Sequence, residues 1–159
     1  RNSTRWIIGV VVLTVLLLAF DRFTSESVHS KLSNRKVALM CTTDMATQFH
    51  IHPHLQVIVN GLERVIPTHI GISAGCMRPL HTHDASGTLH VESPEKRDFT
   101  LGDFFAVWDK PFSKEQILDS KVDDTHIIRV RVNGREVTTY ENTVLSDKDQ
   151  IIISYERTT

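Results

Sequence analysis

From Trp6 to Phe20 the chain runs for 15 residues without a charge (WIIGVVVLTVLLLAF), bounded by Arg5 and by Asp21-Arg22. Every side of such a segment is apolar, so as a helix it has no polar face to turn toward water. It would span about 22 Å at 1.5 Å per residue, short of the roughly 30 Å hydrocarbon core of a bilayer. Ser3, Thr4 and Phe23 extend it, and Arg5 and Arg22 can snorkel, which narrows the gap. A cleaved signal peptide has an apolar region of similar length, but Leu18-Ala19-Phe20-Asp21-Arg22-Phe23 carries no small-x-small cleavage signature. A buried core helix is the third alternative. The run predicts an uncleaved, single-pass membrane anchor over residues 6–23, with a cytoplasmic stub at 1–5. A tether follows over 24–47, rich in Ser, Thr and Lys, and a domain over 48–159.

Orientation follows from weaker signals. Arg1 and Arg5 precede the span while Arg22, Lys31, Arg35 and Lys36 follow it, so the positive-inside count favours neither side. The chain has two cysteines, Cys41 and Cys76. They fit one disulfide in an oxidising compartment, against the alternative of two unrelated buried thiols. The expectation is an N-terminus inside the cytoplasmic (inner) membrane and a periplasmic or extracellular C-terminal domain. The formal charge of the chain is -1. Without residues 1–20, which hold two Arg, 16 basic side chains stand against 19 acidic ones. No basic stripe supports nucleic-acid binding. The expected partners are the lipid bilayer and other membrane-protein subunits.

In the domain, Leu55–Val59, then Asn60-Gly61, then Leu62–Ile66 reads as a hairpin on a type I′ turn. Ile127–Val132, Asn133-Gly134 and Arg135–Tyr140 repeat the unit. Thr88–Glu92 alternates as a strand, and Ile151-Ile152-Ile153 is an apolar run of the kind central strands use. Thr100 with Asp103 caps a helix over Leu101–Trp108, and Ser113 with Gln116 makes a capping box for a second over Lys114–Leu118. The sum is an α+β domain with a mainly antiparallel sheet of six or seven strands and one or two short helices. The tail Val144–Ile152 has the turn-then-strand ending of ubiquitin-like β-grasp domains.

Seven of the nine histidines fall within residues 50–90. His50, His52 and His54 alternate, so an extended chain turns all three to one side. Pro53 is compatible with an edge strand or a strand start. His81 and His83 form a second His-x-His pair, followed by Asp84, and His90 and Glu92 alternate on the strand at 88–92. Imidazole is the commonest metal ligand, and two of them on one strand face aim at one point. His52, His54, His81, His83, His90, Asp84 and Glu92 are therefore candidate ligands for Cu or Zn. A buried hydrogen-bonded polar network is the competing reading.

Gly75, five residues, then His81-Thr82-His83 resembles the opening of the first cupin motif, but the Glu expected shortly after it is absent. So is a second motif. No Gly-x-Ser-x-Gly elbow, phosphate loop or dinucleotide fingerprint is present. Over nearly the whole soluble region the chain resembles a family of uncharacterised secreted or membrane-anchored bacterial and archaeal proteins. The resemblance rests on His50–Leu55 leading into Val59-Asn60-Gly61, on Ile66-Pro67 through Gly71-Ile72, and on Cys76. It continues through Pro79–Glu92 (PLHTHDASGTLHVE) and Phe99–Trp108 (FTLGDFFAVW). It implies an exported domain with a His/Asp/Glu cluster.

Three functions fit these features. A non-catalytic accessory subunit of a membrane complex, such as a respiratory or photosynthetic electron-transfer assembly, follows from a single marginal anchor, a small domain and no complete catalytic motif. An extracytoplasmic Cu- or Zn-binding domain, for buffering or delivery, follows from the histidines. A metal-dependent enzyme would need an open coordination position and an acid or base, for which Asp84 or Glu92 could serve.

Overall fold

The computed structural model describes residues 32–41 and 48–158. Residues from Asn34 onward form one compact α+β unit. Its main sheet is organised by the two Asn-Gly turns. Strands β1 (Phe49–Ile51), β2 (His54–Val59) and β3 (Leu62–Arg64) open the domain. Asn60 and Gly61 take φ 53° and 76°, and Asn133 and Gly134 take 52° and 79°. These left-handed values are those a type I′ turn requires, and Asn and Gly reach them at low cost. The short pairs β4 (Ile72–Ser73) with β5 (Cys76–Met77), and β6 (Leu80–His81) with β7 (His90–Ser93), come next. After helix α2 (Leu101–Trp108) follow β8 (Gln116–Ile117), β9 (Ser120–Lys121), β10 (His126–Val132), β11 (Arg135–Val137) and β12 (Gln150–Arg157).

The five-stranded sheet has the order β11-β10-β12-β2-β3. The apolar run Ile151–Ile153 occupies its centre, and β12 lies parallel to β2 with Ile151 beside Leu55 and Ile153 beside Val57. Every other strand pair among the described residues is antiparallel. Leu55, Val57, Val130, Ile151 and Ile153 are essentially inaccessible to water, as are Leu101, Phe104 and Phe105 of α2. Burial of apolar area at about 25 cal/mol per Å² makes this core the main stabilising term.

Helix α2 begins as its sequence predicts. The Thr100 side chain accepts from the Asp103 N–H, and the Asp103 carboxylate accepts from the Thr100 N–H at 3.1 Å. Asp103 also receives the Arg35 guanidinium at 2.7 Å. That contact comes from α1 (Asn34–Leu39), which buries Val37 and Ala38 and packs on α2. The stretch expected as a tether over 24–47 thus contributes a helix to the domain from Asn34. Six residues with two buried positions are too short to leave a readable period. Cys41, just beyond α1, is disulfide-bonded to Cys76 in β5.

The expected helix over Lys114–Leu118 is instead the β8–β9 hairpin. The Ser113 N–H donates to the Gln116 carbonyl, the reverse of the helical direction, and the Ser113 hydroxyl accepts from Glu115 N–H at 3.1 Å. Ile117 is buried and bridges Phe112 in strand fashion. With Ile117 the one buried residue over 114–118, the segment has no apolar helix face to pack, and the local capping signal yields to the hairpin. No helix among the described residues is long and apolar enough to cross a membrane. The anchor expected at 6–23 lies outside the described residues.

The disulfide joins residues 35 apart in sequence. Loop-closure entropy values such a link at about 4 kcal/mol. Replacing both cysteines by serine should lower the urea-unfolding free energy by roughly 3–4 kcal/mol, and the denatured, unreduced protein should titrate no free thiol. A thiol titration of two per chain would contradict the bond.

Candidate metal centre

The three-stranded sheet β1-β7-β6 builds a face of ligand-type side chains. Along β7, Val91 and Ser93 are buried while His90 and Glu92 are partly buried on the alternate face. Register then decides their neighbours: His81 of β6 stands opposite His90, and His50 of β1 stands opposite Glu92. Four side chains from three strands thus share one surface. His83 joins because Thr82, between the two histidines, is pinned to the opposite side. The Thr82 hydroxyl donates to the Pro67 carbonyl at 2.8 Å and accepts from Ile70 N–H at 3.0 Å. His52 follows His50 by the same alternation, and its ring lies 4.7 Å from that of His90.

Gly71 keeps β6 in place. Its φ is +73°, and any Cβ there would run into the Leu80 carbonyl. Close backbone approach at this point is what glycine permits. The Gly71 carbonyl accepts from Arg78 N–H at 2.9 Å, and the Arg78 carbonyl in turn accepts from His81 Nδ1–H at 2.9 Å. A neutral imidazole that donates from Nδ1 carries its lone pair on Nε2. That nitrogen lies 3.2 Å from His83 Nε2, so the His83 Nε2–H donates to it. His50 Nε2–H donates to Glu92 Oε1 at 2.9 Å. The same oxygen stands 4.0 Å from His81 Nε2 and 4.0 Å from His90 Nδ1.

His90 Nδ1 is the odd atom. It is buried and has no hydrogen-bond partner, although buried polar atoms are almost always paired. Electrostatics keep both central rings neutral. Burial pushes His81 below the usual imidazole range, against smaller opposing effects of the Arg78 carbonyl and Glu92. Burial, followed by His83, His52 and His81, lowers His90 to about 4. Neutral rings present lone pairs, which a metal ion requires. Exposure grades outward: the His81 side chain is fully buried, Glu92 and His90 are 13% and 22% exposed, and His50 is 43% exposed. His52 and His83 lie at the surface.

Of the residues expected from the sequence, His81, His83 and His90 converge, with one nitrogen from each within 4.8 Å of the others. His50, His52 and His90 form a second such group. Glu92 sits between them. His50 was not in the expected ligand set, although its alternation with His52 was the available signal. His54 and Asp84 are held elsewhere. The chain leaves the small sheet at Pro53 and enters the main one, so His54 turns away and its Nε2 bonds the Ser86 carbonyl at 2.9 Å. Asp84 accepts from Ser86 N–H at 2.8 Å in an exposed turn, and its contacts with Ser86 hold its carboxyl below the usual carboxylate range.

In the metal-free domain, His90 should titrate near pH 4 when folded, against about 6.5 when unfolded. The unfolded chain therefore binds the proton first. Stability is fully present above about pH 6.5 and declines as pH falls toward 4. With chelator present, the urea midpoint should drop over that window, and His90→Asn should flatten part of the drop. Parallel pH profiles for wild type and variant would contradict the assignment. Comparison with known proteins yields no match to a family model, a curated protein or a solved structure, so the chemistry of the centre rests on its own geometry.

Proposed function

We propose that this is an extracytoplasmic metal-binding domain that holds a Zn or Cu ion on His81, His83 and His90, with Glu92 as the fourth donor. The observation that carries the reading is the unpartnered, buried His90 Nδ1 beside His83 and His81, whose tautomer the Arg78 carbonyl fixes. A hydrogen-bonded network accounts for His81, His83, His50 and Glu92 but leaves that nitrogen orphaned. Leaving a buried polar group unpaired costs about 1–3 kcal/mol. An ion would close the gap, with the His83 proton passing from Nε2 to Nδ1 through solvent so that both Nε2 lone pairs face it. Metal–nitrogen bonds of about 2.0–2.1 Å at tetrahedral angles place donor atoms roughly 3.3–3.4 Å apart, close to the 3.2 Å between His81 Nε2 and His83 Nε2. The Arg78 carbonyl on His81 Nδ1–H is the kind of outer contact that orients metal-ligating imidazoles.

The disulfide supports an oxidising compartment. The proposal includes the membrane anchor at residues 6–23 that the sequence predicts, with the domain outside. It also includes a β-grasp-like framework. A parallel central pair, flanking hairpins and an intervening helix support that reading. Between the accessory-subunit and metal-binding readings, the histidine geometry favours the second.

Metal held only by the native state adds RT ln(1 + [metal]/Kd) to stability, about 2.7 kcal/mol at a hundredfold excess over Kd. A strong chelator should therefore lower Tm by several degrees, and elemental analysis of the purified protein should find Zn or Cu. In His83→Ala the chelator effect should shrink. An unchanged wild-type Tm on chelation, with no metal found, would sink the proposal in favour of a hydrogen-bonded network.

A further inference from the structure

We infer that the centre takes two divalent ions, the second on His50 and His52, with His90 and Glu92 lying between it and the ion on His81 and His83. This rests on the metal-binding reading and extends it.

The two histidine groups meet the same geometric condition, one nitrogen from each residue within 4.8 Å of the others, and His90 belongs to both. An imidazole has two nitrogens, so one ring can serve two ions when its remaining proton passes to solvent. Rings of both sets neighbour His90. His81 and His83 have centroids 5.4 and 4.5 Å from His90, while His52 and His50 lie at 4.7 and 5.9 Å. Glu92 offers the second link. Its Oε1 is 2.9 Å from His50 Nε2 and 4.0 Å from both His81 Nε2 and His90 Nδ1, so one carboxylate faces both sets. Negative charge between two cations offsets their mutual repulsion, which is strong in a partly buried site. When the second ion arrives, the proton on His50 Nε2 moves to Nδ1 through solvent, which frees Nε2 as a ligand and releases Glu92 to the ions.

The two sets differ in exposure. The outer set is at the surface, with His52 exposed and the His50 side chain 43% exposed, whereas the inner set is floored by the fully buried His81.

The test is equilibrium dialysis of the full chain, in mild detergent, against ZnCl2, followed by elemental analysis. Two zinc ions per wild-type chain and one in His52→Ala are expected. His52 is exposed, and a metal-free melting temperature matching wild type will show that the variant folds. One zinc in both proteins would overturn the second ion while leaving the inner site standing. Two zinc ions retained in His52→Ala would overturn the assignment of the outer set. No zinc in either protein would remove the metal-binding reading itself, and the second ion with it.

Discussion

The register of β7 between β1 and β6 is the constraint on which the centre depends. His81 opposite His90 and His50 opposite Glu92 are consequences of that register, not of any pairwise attraction among the side chains. A slip of one residue would exchange the faces of β7. Val91 and Ser93, both buried, would then meet the histidines, and His90 and Glu92 would enter the core. The buried Leu80 opposite Val91 therefore fixes the polar face as well as the apolar one.

That small sheet is short and gains its rigidity from what surrounds it. The main sheet reaches it through β2. His54 N–H donates to the Asp149 carbonyl, His52 N–H to the Asp147 carboxylate, and Leu55 N–H to the Gly87 carbonyl. Leu89 N–H donates back to the Pro53 carbonyl, so the segment after His83 is tied to the start of β2 from both directions. Helix α2 packs against β6, and its own N-terminus is held by Thr100, Asp103 and Arg35. The disulfide secures the strand that precedes Arg78, whose carbonyl sets the His81 tautomer. Each of these contacts acts on a candidate ligand through its neighbours.

Much of this was legible from local chemistry. Asn-Gly turns declare themselves because few residues tolerate two successive positive φ values, and Thr100-x-x-Asp103 declares α2 because a capping box satisfies orphan N–H groups. Ile151–Ile153 reads as a central strand because the run is apolar and β-branched, and Ile151 and Ile153 are buried. The failures were equally physical. Ser113-x-x-Gln116 imitates a capping box, but Ile117 needs a buried position that a strand supplies. Arg35 to Ala38 reads as polar tether because α1 buries only two residues. Alternation correctly grouped His50 with His52, yet carried on too far. Pro53 ends one sheet pairing before His54 begins another, and a period of two does not survive a change of sheet.

A domain with a core of modest size places a fully buried histidine, a second one with an orphaned nitrogen and a nearly buried carboxylate within a few ångströms of one another. Stability alone would select against this, because apolar residues of similar volume would avoid both the unpaired nitrogen and the desolvated carboxylate. Local violations of good packing concentrate where a site is being held ready. The supporting contacts agree with that reading. Thr82 spends its hydroxyl on two backbone bonds that fix the spacing of His81 and His83, and Gly71 gives up a side chain so that β6 can sit close. The unsatisfied nitrogen therefore lies inside a rigidly supported face, where relaxation cannot easily supply a partner. On the proposed reading, the partner of this face is a ligand that accepts lone pairs from several neutral imidazoles at once, and a transition-metal ion has that chemistry.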